Sequence, residues 1–381
     1  MSAYRAAKAA EHTANLQWLR AQLSSFRTAG LPHDIILQRL EEKVDEAEKG
    51  LILLKTAVQI AGLEADADAL SSGLAKFVRT TSDYYVAGLR HQSTEELATR
   101  DLLLKVCSRL HLDWIHDALV RYSRDLALLP VYHGDYSIPI LFAPPNLMEG
   151  VLTLPGIHHE LGHSVFARDR QFVRELGRVV DKFFDDEKKK LGPLAPKKRS
   201  EQEAAFDAAA RYWSESQLAE VFCDVFAGYV CGPGNLISVT DLHLAEGPNP
   251  YLISNTMHPP GAARVSMCER ALSPMQRGHA LVRDTLGDWH NFVAKSTPDA
   301  SYQRCCPPAL LQILADRVNE LIATHLPAVP RYTKPLTTLD EARVIPTQLP
   351  LEDAINAGHV VLLASPTEFP SWWKSAGAVL C

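Results

Sequence analysis

The chain is 381 residues long, carries a formal net charge of −6 at pH 7, and is 46% hydrophobic and 22% charged. Those figures suit a globular protein with room for more than one domain, and the acidic balance argues against nucleic acid as a main partner. The seven cysteines form no CxxC pair, and the first twenty residues, MSAYRAAKAAEHTANLQWLR, hold no apolar run behind a basic end; a disulfide-framed secreted protein is not expected, and the cytoplasm is the expected compartment.

Residues 1–125 read as helical. From Leu37 the series Leu37, Leu40, Val44, Ala47, Leu51, Leu54, Val58 alternates steps of three and four, with Glu and Lys on the other faces. This predicts one arm of a helical hairpin, packed on the first helix through Leu16, Trp18, Leu19, Leu23 and Phe26. Three heptads suit an intramolecular bundle better than a coiled coil between chains. These helices also offer a surface for a regulatory protein partner. The longest apolar stretch, LILLKTAVQIAGL, is interrupted by Lys55 and Gln59 and is too short to cross a bilayer, so no membrane span is expected.

Between 130 and 150, Pro and Gly punctuate a short β-prone run from Tyr136 to Phe142, which predicts one or two strands and an edge where an extended peptide could pair. VLTLPGIHHELGHSVFARD then reads as a helix. On a helix His159 and His163 point to nearly the same side, because four steps of about 100° overshoot a turn by only about 40°. His158 lies five positions from His163 and turns off that face, as a supporting or surface histidine. The doublet therefore resolves to an HExxH motif with His159 and His163 as metal ligands and Glu160 between them.

Residues 170–200 hold an amphipathic stretch and a basic, solvated connection, EKKKLGPLAPKKRS. A long helix is expected through SEQEAAFDAAARYWSESQLAEVFCDVFAGYVCGPG, ending at Gly232-Pro233. A catalytic zinc takes three protein ligands and leaves a fourth position to water, so one ligand is still missing. The HExxHxxGxxH spacing does not supply it, since Phe166 and Asp169 stand where that pattern needs Gly and His. Two ExxxD pairs could: Glu203 with Asp207, and Glu220 with Asp224. LAEVFCDVFAGYV is apolar on nearly every side, as a helix buried against HELGH would be, whereas SEQEAAFDAAAR has a water-facing pattern. Glu220 is therefore the preferred third ligand, and Asp224, one turn on, is placed to hydrogen-bond the far nitrogen of a histidine ligand and fix its tautomer. Cys223 and Cys231 read as small core residues.

NTMHPPGAARVSMCERAL predicts a turn and then a helix from near Gly261. Beyond it come one amphipathic helix over 309–325, Pro-rich connections and an apolar tail with Trp372 and Trp373.

In order, HELGH, EVFCD and HPPGAAR resemble the gluzincin peptidases of the CAAX-prenyl-protease and HtpX type, over roughly residues 135–272. The resemblance implies that His258 and Arg264 contact substrate and the developing oxyanion, with Tyr229 and Tyr251 as weaker candidates. Those relatives are typically embedded in membranes, so their prenylated or membrane substrates are not carried over. What is implied is a soluble zinc metalloendopeptidase with one zinc per chain, hydrolysing a peptide or protein with Glu160 as general base. A partner-binding module on a zincin fold, or a peptidase kept latent until a partner arrives, are the alternatives. The expected fold is α+β and predominantly helical: a helical N-terminal region over 1–125, a zincin-like catalytic core over 126–275 and a helical C-terminal region over 276–381.

Overall fold

The computed structural model describes residues 3–380 apart from 32, 61, 91–92, 124–125, 130–131, 134–135, 138, 145–146, 148–150, 194, 246–248, 254–257 and 347. The protein is predominantly helical with a few short strands. Where the sequence suggests three regions with breaks near 125 and 275, the chain forms two compact units. The first comprises Met1–Ser108, Leu112–Asp125 and Leu129–Ala143; the second comprises Arg109–His111, Leu126–Leu128 and Pro144–Cys381. Among the described residues no helix is long and apolar enough to cross a membrane.

The first unit opens with α1 (Ala3–Thr28), α2 (Asp34–Gln59) and α3 (Glu64–Thr80), which pack on one another. Leu16, Leu19, Leu23 and Phe26 of α1 close on Ile36, Leu37, Leu40, Val44, Leu51 and Leu54 of α2, the stripes expected from the three-four spacing. Across the outside of the pair, Arg27 meets Glu41 and Arg20 meets Glu48, which favours this register over a slipped one. Trp18 departs from the expected core: it is 39% exposed, and the Arg90 guanidinium lies 5.9 Å from its ring.

A π-helical turn, α4 (Ala87–Arg90) and α5 (Thr94–Arg109) follow. Helix then gives way earlier than the sequence suggests, because Leu119–Tyr122 is a strand, β1. After β2 (Ala127–Leu129), β3 (Tyr132–His133) pairs antiparallel with β4 (Tyr136–Ser137). β5 (Ile140–Ala143) runs parallel to β1, with Leu119 opposite Ile140 and Tyr122 opposite Ala143. Ala118, Leu119 and Val120 are wholly buried, and so short an apolar run carries no period that separates strand from helix.

The second unit is built around α6 (Pro155–Arg168) and α9 (Glu215–Cys231). Between them in sequence lie α7 (Arg170–Lys189) and α8 (Pro196–Tyr212). α7 buries Phe172, Leu176, Val180 and Phe184, one residue per turn, and Asp169 caps its first turn by accepting from the Gln171 amide. The basic connection is mostly helical: Lys188, Lys189 and Lys190 pair with Asp185, Asp186 and Glu187 one turn back. The single helix expected over 200–231 is two, broken at Trp213 and Ser214. The Trp213 indole is buried and donates to the Cys305 carbonyl at 2.7 Å, while Ser214 is extended and starts α9.

α10 (Pro233–Ala245) follows Gly232, whose φ of 63° lets the chain turn there. α11 (Gly261–Ala271) begins where expected; positions 255–257 of the preceding turn lie outside the described residues. Then come α12 (Pro274–Arg277), α13 (Ala280–Val293), α14 (Ala300–Cys305) and α15 (Pro308–His325), the last packed on α7, α9 and α11. α16 (Leu339–Arg343), α17 (Leu351–Ala364) and α18 (Phe369–Leu380) complete the unit. Trp372 is buried there and bonds the Ala342 carbonyl.

Candidate metal centre

α6 starts at Pro155, a residue whose fixed φ suits a first helical turn, and two of its three histidines, His159 and His163, face α9. Gly162 makes the approach of the helices possible. A Cβ built there would sit 2.9 Å from the Cys223 Cα and 3.0 Å from its Sγ, so α9 occupies the space a side chain would need. Around that contact, His159 Nε2 lies 3.3 Å from Glu220 Oε2, and His163 Nε2 lies 3.4 Å from Glu220 Oε1. Donors set tetrahedrally at about 2.05 Å from a zinc ion are about 3.3 Å apart, and each imidazole stands about that far from a different oxygen of Glu220.

The fit does not rest on distance alone. Glu220 Oε2 is buried and takes no aligned hydrogen bond from the described residues, although His159 is near. Two imidazole nitrogens converge on the Glu220 carboxylate, whose Oε2 also lies 3.6 Å from Arg264 Nη2. Glu203 and Asp207, the other carboxylate pair, are on α8 and bind Arg199 and Lys188.

Behind the donors is a chain of fixed groups. Asp224 is fully buried, and its Oδ1 lies 3.0 Å from His159 Nδ1. Arg264 on α11 grips the same carboxylate with Nε and Nη2, both at 2.7 Å. Against burial, that guanidinium and His159 hold Asp224 far below the usual carboxylate range. Burial opposes a charge on His159 too, but Asp224 and Glu220, one on each ring nitrogen, lift it to about 10. Burial and the His159 cation push His163 down to about 4. These directions set a charged imidazole beside a neutral one.

Glu160 is held by the backbone. Its Oε2 accepts from the Leu128 amide of β2 at 2.8 Å, and burial raises its carboxyl above the usual value. His258 stands at the rim, 53% exposed, with Nε2 3.4 Å from Glu220 Oε1. Arg264 differs from the sequence expectation. It is buried, its forked donors grip Asp224 and its Nη2 also lies 3.6 Å from Glu220 Oε2, so it positions these carboxylates. Tyr229 packs beneath Arg331, and Tyr251 against Tyr302.

His158 is neither a ligand nor a surface residue. It is fully buried on the far side of α6, where Nε2 lies 3.2 Å from Glu352 Oε1 of α17, whose other oxygen meets Arg109 at 2.6 Å. Glu352 carried no sequence signal, being 194 residues away. Cys223 did carry one: it stands three residues after Glu220, on the same helical face. One ligand atom each from His159, His163 and Cys223 lie within 4.8 Å of one another, a competing donor set. Glu220 brings Oε2 to 3.3 Å from His159 Nε2 and Oε1 to 3.4 Å from His163 Nε2. Comparison with protein-family models, curated proteins and solved structures finds no match.

Proposed function

We propose that this chain is a zinc-dependent peptidase with a zincin-like core, holding one zinc through His159, His163 and Glu220. The observation that carries the reading is the approach of both imidazoles of one helix to the Glu220 carboxylate of another, at 3.3 and 3.4 Å, with Glu160 one residue from His159. Zinc held there would supply Lewis acidity, polarising a scissile carbonyl and lowering the pKa of water to about 7.

The protein's own groups then have distinct tasks. With Oε2 pinned by the Leu128 amide, Glu160 keeps Oε1 for the proton of the attacking water, which it later passes to the leaving amine. Its raised pKa suits a group that must both take and give a proton near neutrality. Asp224, anchored by Arg264, fixes the tautomer in which His159 presents Nε2. His258, at the exposed rim, is placed to donate to oxygen as negative charge develops on it.

Glu160→Gln tests the reading. The amide keeps the shape but cannot accept the proton, so peptide cleavage should fall about 10²–10⁴-fold while zinc content stays at one per chain. An unchanged rate with zinc bound would remove Glu160 from the mechanism. The binding-module reading draws on Ile52 and Leu53, 64% and 60% exposed on α2. It takes precedence if wild type and variant are equally inactive across a peptide library.

A further inference from the structure

We propose that Cys223 is a fourth protein donor to the same metal, giving the centre a closed, four-ligand resting state; this rests on the zinc reading above. Cys223 follows Glu220 by three residues, so both side chains leave α9 toward α6 within one turn. Its sulfur lies against Gly162, in the space a side chain between His159 and His163 would fill. It also lies within 4.8 Å of a ligand atom of each histidine. The thiol is wholly buried at the helix crossing.

The reach is small. With bonds of about 2.3 Å to sulfur and about 2.05 Å to nitrogen, tetrahedral ligands stand about 3.6 Å apart, so each sulfur–nitrogen distance, within 4.8 Å, would have to shorten by no more than about 1.2 Å. A rotation about the Cys223 side-chain bond, with slight adjustment of α9, supplies that. Zinc sites with four protein ligands are structural, while catalytic ones keep a position open. Binding of sulfur would release the thiol proton to solvent and displace a water molecule; its release would take a proton back onto sulfur and readmit water to the open position. Closed and open forms would thus be resting and working states of one centre, with no added segment required to block it.

The test uses full-length protein, stripped of metal and titrated with cobalt chloride, because cobalt bound to sulfur has a near-ultraviolet charge-transfer band that cobalt bound only to nitrogen and oxygen lacks. Wild type should develop this band together with the visible cobalt bands, both saturating at one equivalent. Cys223→Ser and Cys223→Ala should lose the near-ultraviolet band and keep the visible ones. Zinc-loaded Cys223→Ala should also cleave peptide faster than wild type, and equal rates overturn the resting-state role. Visible bands without the near-ultraviolet band in wild type overturn the thiol donor and leave the centre of His159, His163 and Glu220 standing, with His258 the candidate for a fourth ligand. A near-ultraviolet band that persists in both Cys223 variants belongs to another cysteine and equally overturns the proposal. Absence of saturable cobalt uptake removes the metal centre and the proposal with it. If the Cys223 variants do not fold, His163→Ala decides, since it keeps the thiol: both sets of bands must vanish together in it.

Discussion

His158 and His159 are adjacent in sequence, and one step of about 100° sends them to opposite sides of α6. His159 reaches Glu220 and Asp224, while His158 reaches Glu352. The sequence distinguishes the pair because helical geometry alone decides which histidine shares a face with His163. It does not tell what His158 touches, since its partner is distant in the chain. His158→Ala should keep one zinc per chain, but it leaves the buried Glu352 with Arg109 alone and should cost about 1–3 kcal/mol in denaturant unfolding. Loss of zinc with stability unchanged would reverse that assignment. The preference for Glu220 over Glu203 rests on a different signal: the helix carrying Glu220 is apolar all round, and the helix carrying Glu203 is not. Glu220→Gln should therefore weaken zinc affinity by more than the roughly 10–100-fold typical of a group that only orients a ligand. Glu203→Gln should leave it unchanged, as competition with a chelator will reveal.

Elements were legible where one face differs from the rest. α2, α7 and α15 each bury a stripe, and the sequence reading finds all three. α17 is missed because LEDAINAGHVVLLA buries residues on nearly every side and so has no period to detect. The break between α8 and α9 is marked by SESQ, a helix-start pattern, yet the helical composition on both sides hides it. The crossing of α6 and α9 depends on a glycine, and two Gly→Ala changes separate propensity from packing. In Gly162→Ala the new methyl meets the Cys223 backbone at 2.9 Å, and backbone cannot swing aside. Overpacking of this kind costs about 1–3 kcal/mol, against a propensity gain of about 0.8–1.0 kcal/mol. The variant should melt lower and release zinc more readily, because its ligands come from both helices. Gly177→Ala on α7 meets nothing within 4 Å and should be stabilising by about 0.4–1 kcal/mol. Equal behaviour of the two variants would remove close approach as the reason for Gly162.

At the scale of the whole molecule, acid should destabilise the second unit through a histidine outside the cluster of His159, His163 and Glu220. His359 of α17 is fully buried; its Nδ1 donates to the Ile355 carbonyl at 2.7 Å, and Nε2 lies 3.2 Å from the Ser238 hydroxyl of α10. That arrangement needs a neutral ring, with Nε2 accepting from the hydroxyl. Burial is the main cause that brings its pKa from 6.5 down to about 4, with the Ile355 carbonyl acting weakly in the opposite direction. The unfolded ring takes its proton near 6.5 and the folded one only near 4, so between these values the unfolded state binds more protons. Stability from this group is therefore complete above about pH 6.5, declines as the pH falls toward 4, and changes no further below it. Two and a half pKa units correspond to about 3 kcal/mol. Other groups titrate in the same range, His163 among them when no metal is bound, so the informative quantity is a difference of differences. Wild type and His359→Gln should be unfolded in urea at pH 7.5 and pH 4.5. Replacement should cost stability at pH 7.5, where the neutral ring's two hydrogen bonds are intact, and the gap between the proteins should shrink by up to about 3 kcal/mol at pH 4.5. If the gap is the same at both, His359 is not the group that acid acts on.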